Sequence, residues 1–211
     1  VGVSQNEKAL LGQEMYNDAG VLDQYLRFHF GEASPLGVEN FPRRCAELCI
    51  EAAKELGVPL GAALELGGGP GRTAFELARK FEWVQGTDYS QVFVDAANQL
   101  CLDGSLDGVA LDQLGIDAAL RQRVTFDRAD ACALPDSMRG YDLVCGFNLI
   151  DRLPDPEACL ADLPTRVNPG GLLVLASPYT WLETFTPKNK WLGGFKYGDN
   201  DSAKTYDALL D

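Results

Sequence analysis

The chain has 211 residues, 46% hydrophobic and 23% charged, with 31 acidic against 18 basic side chains and a net charge of −13. That length fits one domain with a single buried core, and the apolar fraction is too high for a disordered chain. No apolar run approaches the ~20 residues of a membrane helix, and so acidic a chain lacks the Lys/Arg surface that phosphates demand; neither a membrane nor nucleic acid is an expected partner.

In chain order, residues 21–30 (VLDQYLRFHF) read as a helix with aromatic spacing. Residues 43–56 read as an amphipathic helix, opened near Pro42 and closed by Gly57. Residues 1–57 therefore form an expected helical cap segment, and 58–211 the core of the domain. In the core, strands are expected at 61–66, 83–88, 122–128, 141–147 and 171–177. Helices are expected at 71–80, 90–102 and 156–167, the last interrupted by Pro164 and followed by an Asn168-Pro169-Gly170-Gly171 turn. Positions 104–120 carry no recognisable motif, and 202–210 look like the opening of a helix.

Strands alternating with helices imply βαβ units, an α/β fold and a mostly parallel sheet between two helical layers. Right-handed crossovers line up the carboxyl ends of the strands along one rim, where a ligand sits near the topological switch point. The loops after residues 66, 88, 128, 147 and 177 are therefore the ones that carry function.

The first of these loops is Glu65-Leu66-Gly67-Gly68-Gly69-Pro70-Gly71, of the form E-x-G-x-G-x-G. Glycines allow positive φ and close approach of a ligand to the backbone. A dinucleotide fingerprint needs a Gly or Ala at the sixth position from Gly67, and Arg72 stands there. The second strand ends in Asp88, 23 residues after Glu65, whose carboxylate suits vicinal ribose hydroxyls; a place in a helix N-cap region is the alternative. Asp130 and Ala131 follow the third strand and Asn148 the fourth.

These features, in this order, resemble the class I methyltransferases that use S-adenosylmethionine (SAM) and release S-adenosylhomocysteine. The resemblance implies a Rossmann-like three-layer sandwich and cofactor contacts from Glu65, Gly67, Gly69, Gly71, Asp88, Asp130, Ala131 and Asn148. It also implies a seven-stranded sheet. Too few residues follow Ser177 for strands six and seven, so the last edge hairpin is expected to be missing and the chain to be cut at both ends, starting as it does at Val1.

The flanking segments narrow the likeness. Residues 24–31 (QYLRFHFG), 40–49 (NFPRRCAELC), 152–156 (RLPDP), 177–187 (SPYTWLETFTP) and 190–195 (KWLGGF) resemble the C-terminal methyltransferase region of the ovothiol-biosynthesis enzyme family OvoA. That resemblance implies N-methylation of the imidazole ring of 5-thiohistidine, a small-molecule acceptor. It further implies a covalent link to an upstream iron-dependent 5-histidylcysteine sulfoxide synthase region, whose iron ligands lie outside this chain. Another small acceptor (a carboxylate, amine or phenol) and a non-catalytic docking domain are the alternatives.

For ring orientation the candidate catalytic residues are Asn148, Tyr25, His29 and Tyr179. Tyr25 and His29 are four apart and share a helix face; core packing is the competing reading for both. Arg44 could fork onto an amino-acid carboxylate or be a solvated helix residue. Trp181 and Trp191 flank a Pro-containing loop and either close over the acceptor or pack elsewhere. The six cysteines form no CxxC pair and His29 is the only histidine, so no metal is expected and the thiols read as buried groups in a reducing, cytoplasmic setting.

Overall fold

The computed structural model describes residues 12–31, 39–197 and 201–203. Its first long helix, α1 (Ala19–Phe30), begins where the Asp18 carboxylate accepts the Gly20 N–H at 2.7 Å. Helix α2 (Phe41–Leu56) is capped by Asn40, whose side chain accepts the Arg43 N–H at 3.0 Å, carries Pro42 in its first turn and stops at Gly57 with φ 70°. The Asn40 amide also donates to the His29 carbonyl at 3.0 Å, so the cap of α2 holds the end of α1. Cys45, Ala46, Cys49 and Ala53 give α2 one buried stripe.

The core sheet contains β1 (Ala62–Leu66), β2 (Trp83–Asp88), β5 (Val124–Arg128), β6 (Tyr141–Phe147) and β7 (Val167–Ala176), in the order β5-β2-β1-β6-β7. Every pairing within it is parallel. Near-continuous apolar runs suit strands covered on both faces. Ala63, Val84, Leu143 and Cys145 join one buried cluster with Leu26 and Phe30 of α1, the stripe of α2, and helices α3 (Arg72–Leu77) and α4 (Gln91–Asp103). Leu64, Leu66 and Val144, on the alternate face, pack with the 129–138 loop and with Cys159 of α6 (Pro156–Asp162). Each fully buried leucine or phenylalanine, such as Leu64 or Phe75, contributes about 1.5–3 kcal/mol relative to exposure.

The α/β reading and the three layers hold. Several boundaries move. The helix expected at 71–80 ends at Leu77 and continues as turns. Pro164 stops α6 at Asp162, leaving a 3₁₀ turn at Leu163–Thr165. The Asn168–Gly171 turn is an irregularity inside a longer β7: Val167 pairs with Tyr141 and Leu172 with Leu143, so the partner strand advances two residues while β7 advances five. The motif-free stretch 104–120 forms a small hairpin of β3 (Ser105–Leu106) and β4 (Val109–Ala110), followed by a 3₁₀ turn and α5 (Ala118–Arg121). Its turn, Asp107-Gly108, has φ of 44° and 84°, the Asp-Gly signal of a tight hairpin.

The expected helix at 202–210 is corrected at its start. Residues 201–203 are extended (β9, Asp201–Ala203) and pair antiparallel with β8 (Phe195–Tyr197) in a separate two-stranded sheet; 204–210 lie outside the described residues. The sheet order reverses direction between β1 and β6, which places the ligand crevice at the carboxyl ends of those two strands.

Candidate functional site

The loop after β1 is shaped by its glycines. Gly67, Gly69 and Gly71 have φ of 63°, 54° and 92°, a region side chains rarely adopt. At Gly71 a Cβ would collide with the Phe126 ring; at Gly68 it would stand 2.7 Å from the Glu65 carboxylate. Glu65 is buried beneath the loop, where its Oε2 accepts the Ala74 N–H at 3.0 Å and so ties β1 to the first turn of α3. Burial pushes its carboxyl up to about 8, partly offset by the Thr73 hydroxyl and the Ala74 N–H. Glu65 thus supports the loop from behind, with only an edge in the wall of the larger cavity described below.

Asp88 ends β2 beside this loop. Its Oδ2 accepts the Gly69 N–H at 2.9 Å and its Oδ1 the Ser90 N–H at 2.8 Å. The helix cap is Ser90, whose hydroxyl accepts the Phe93 N–H. Asp88 therefore anchors the loop, and each of its oxygens retains a lone pair for a ligand. Burial pushes it up to about 6 against the pull of these backbone donors. With Ala129, Asp130, Ala131, Tyr89 and Phe93 it lines a slot of about 90 Å³. Asp130 Oδ1 accepts the Cys132 N–H at 2.8 Å, which fixes the bend that exposes Ala131 to the slot.

A larger cavity of about 430 Å³ adjoins the slot, and Tyr16, Tyr25, Gly67, Asn148 and Arg152 belong to both walls. Tyr25 and His29 stand on the same face of α1, their rings stacked at 5.9 Å, and Phe28 and Phe41 form an exposed rim with centroids 6.2 Å apart. His29 is 7% exposed, and its Nδ1 is buried without a hydrogen-bond partner in the structure. Desolvation, with a smaller push from Arg72, lowers it to about 3, so the ring is neutral. Asn148 turns the chain at φ 54° after β6 while its N–H donates to the Ala176 carbonyl at 2.8 Å; Asn tolerates that conformation better than most residues.

Three expected acceptor residues lie elsewhere. Arg44 is on the outer face of α2, within ion-pair distance of Glu39, Glu47 and Glu51. Tyr179, at φ 54° and 40% exposed, lies outside both cavity walls. Trp181 is buried against Trp191, with ring centroids 6.5 Å apart, and is likewise no part of either wall. In their place stand Tyr16, Gln13 and Arg152. Gln13 is buried with its Oε1 unpaired at the slot. Arg152 follows the fully buried Asp151, whose carboxylate accepts from the Ser177 hydroxyl and from the Thr180 N–H and hydroxyl. Only its place in the fourth strand-end loop pointed to Arg152.

Of the six cysteines, Cys45, Cys49, Cys145 and Cys159 are buried and Cys101 and Cys132 half-buried, all as free thiols. No helix among the described residues is long and apolar enough to cross a membrane.

A family model described as a methyltransferase domain matches residues 64–173, from within β1 into β7. Among solved structures the chain is similar to an S-adenosylmethionine-dependent methyltransferase from Clostridium acetobutylicum (16% identity, 86% of this chain and 64% of that one, TM-score 0.54). It is also similar to a TehB-like SAM-dependent methyltransferase from Corynebacterium glutamicum (19%, 75% and 73%, TM-score 0.53). The glycopeptide N-methyltransferase MtfA in complex with sinefungin is a further match (22%, 68% and 57%, TM-score 0.50). At these identities the likeness is one of fold. The chain spans about half the length of other structures it matches, from 49% to 53%. No curated protein matches it.

Proposed function

The chain belongs to the methyltransferase domain family, and on that premise we propose that it transfers the methyl group of SAM to an imidazole nitrogen of 5-thiohistidine. The observation that carries the methyl-transfer reading is the shared wall between the Asp88 slot and the aromatic cavity, which brings a cofactor half and an acceptor half together at Gly67, Tyr25, Asn148 and Arg152. The acceptor rests on the resemblance of the flanking segments to the ovothiol family. The same resemblance supports a link to an upstream iron-dependent sulfoxide synthase region.

SAM fits the residues present. The turn at 67–71 has no room for a Cβ at Gly67, Gly68 or Gly71 and so brings bare backbone to the crevice, and Asp88 has acceptor capacity for two ribose hydroxyls. Asp130 and Ala131 border the remainder of the slot, and the carboxylates of Asp88 and Asp130 suit a cation. When bound, the cofactor supplies an electrophilic methyl on a sulfonium.

The protein's task is then chiefly to position the acceptor, worth up to ~7–11 kcal/mol in favourable cases. An imidazole with a reference pKa of about 6.5 is largely neutral at pH 7 and already offers a lone pair, so no strong general base is required. Tyr25, Phe28 and Phe41 give it flat apolar walls. Neutral His29 offers one N–H and one lone pair to fix the ring's orientation, and Asn148 stands where the two halves meet.

Product analysis after mixing the protein with SAM and 5-thiohistidine tests this reading. An N-methylated product is expected. SAM binding without methylation of this acceptor would assign the domain another small molecule.

A further inference from the structure

The larger cavity has aromatic walls and a single cation. Among its lining residues Arg152 alone is a permanent positive charge, since His29 is buried and uncharged. We propose that Arg152 is the specificity-determining anchor for the carboxylate of the acceptor, and that the cavity selects planar aromatic acceptors bearing a carboxylate. This rests on the reading of the site as a methyltransferase and deepens it.

The geometry is that of a rigidly held fork. Arg152 Nη1 donates to the Asp151 carbonyl at 2.9 Å, to Asp151 Oδ2 at 2.8 Å and to the Thr180 carbonyl at 2.7 Å, while Nη2 donates to the Thr180 hydroxyl at 3.0 Å. Phe185 supports the guanidinium plane, with the ring centroid 5.1 Å from Cζ. These contacts occupy three of the five N–H groups. Two are left for the neighbouring Tyr16 hydroxyl and for a ligand. The side chain is 25% exposed, at the junction of slot and cavity.

A guanidinium whose rotamer is already fixed loses little entropy on engaging a carboxylate, and the charge strengthens the hydrogen bond it donates. Asp151 acts through Arg152 as a positioning residue: it is fully buried and joins the loop after β6 to the segment 177–180. Arg44, the other arginine suited to a carboxylate by sequence, is excluded by its place on the outer face of α2.

The test uses the full chain loaded with S-adenosylhomocysteine and calorimetric titration of two ligand pairs. One pair is 5-thiohistidine and its decarboxylated amine; the other, with an unrelated ring, is indole-3-acetate and 3-methylindole. The wild type is expected to favour the carboxylate member of each pair by about 10–100-fold. Arg152→Gln should abolish that preference while lowering the affinity for SAM by much less than it lowers that for the carboxylates, and Arg152→Lys, which keeps charge without the planar guanidinium, should retain part of it. Melting curves of both variants identify any loss due to unfolding. Preference retained in the indole pair but absent for 5-thiohistidine would overturn the proposed acceptor and keep the anchor. No preference in either pair, or a loss of SAM affinity in Arg152→Gln as large as the loss for the carboxylates, would overturn the anchor itself.

Discussion

Gly69 donates its backbone N–H to Asp88 Oδ2 at 2.9 Å, so the glycine turn after β1 and the acid at the end of β2 form one unit. The same carboxylate that would hold a ribose therefore also holds the loop that would hold the rest of the cofactor. Asp88→Ala should weaken SAM binding by about 1–3 kcal/mol, read by calorimetry, and should loosen the loop. Asp88→Asn, which keeps one acceptor oxygen, should lose less. Equal, unchanged affinity in both variants would reduce Asp88 to a structural anchor.

The glycines separate by what surrounds them. Gly71→Ala would place a Cβ against the Phe126 ring at φ 92°, whereas Gly57→Ala, at φ 70°, meets nothing within 4 Å. Gly57→Ala should cost about 1–2 kcal/mol of backbone strain. Gly71→Ala should cost more than that and also perturb SAM binding. Denaturant unfolding of the two variants side by side checks the ranking.

Buried titratable groups predict opposing pH dependences. His29 is lowered from 6.5 to about 3, so the unfolded chain binds its proton first as pH falls. The stability it contributes is complete above about pH 6.5 and is lost as pH drops toward 3. Between pH 7 and 5 the loss is about 2 kcal/mol relative to His29→Phe. Glu65 is raised from 4.5 to about 8, so the folded state keeps the proton longer and stability falls as pH rises between those values. Urea titrations of wild type, His29→Phe and Glu65→Gln across pH 5–8 should show each variant removing its own slope.

Arg44→Ala should change neither SAM affinity nor turnover by more than about twofold, because its partners are solvent-exposed glutamates and such pairs contribute about 0–1 kcal/mol. A large kinetic effect would place the acceptor on the outer face of α2.

The sequence exposed the frame of the site because its signals are local. Strand-end glycines and acids declare themselves by spacing, and 83–88 and 141–147 are bounded in the structure as their patterns predict. What escaped was set by long-range packing. Arg44 and Arg152 are both arginines in plausible segments; only the fold separates an outer helix face from a loop joined to Thr180, 28 residues away. Trp181 read as either a lid or a packing residue; in the fold it is buried and its ring stacks on Trp191. The Asn168–Gly171 segment carries every mark of a turn, but pairing with β6 on either side absorbs it into β7. Asp107-Gly108 went unread within the stretch 104–120, because its flanking strands are two residues each and too short to show alternation.

The most direct measurement is transfer itself: incubation of the protein with SAM carrying an isotopically labelled methyl group and with 5-thiohistidine, followed by mass spectrometry and NMR of the product. The account predicts the label on a ring nitrogen, equimolar S-adenosylhomocysteine, and a fall in both in Asp88→Ala at limiting SAM. Label retained in SAM although SAM binds the protein would contradict it.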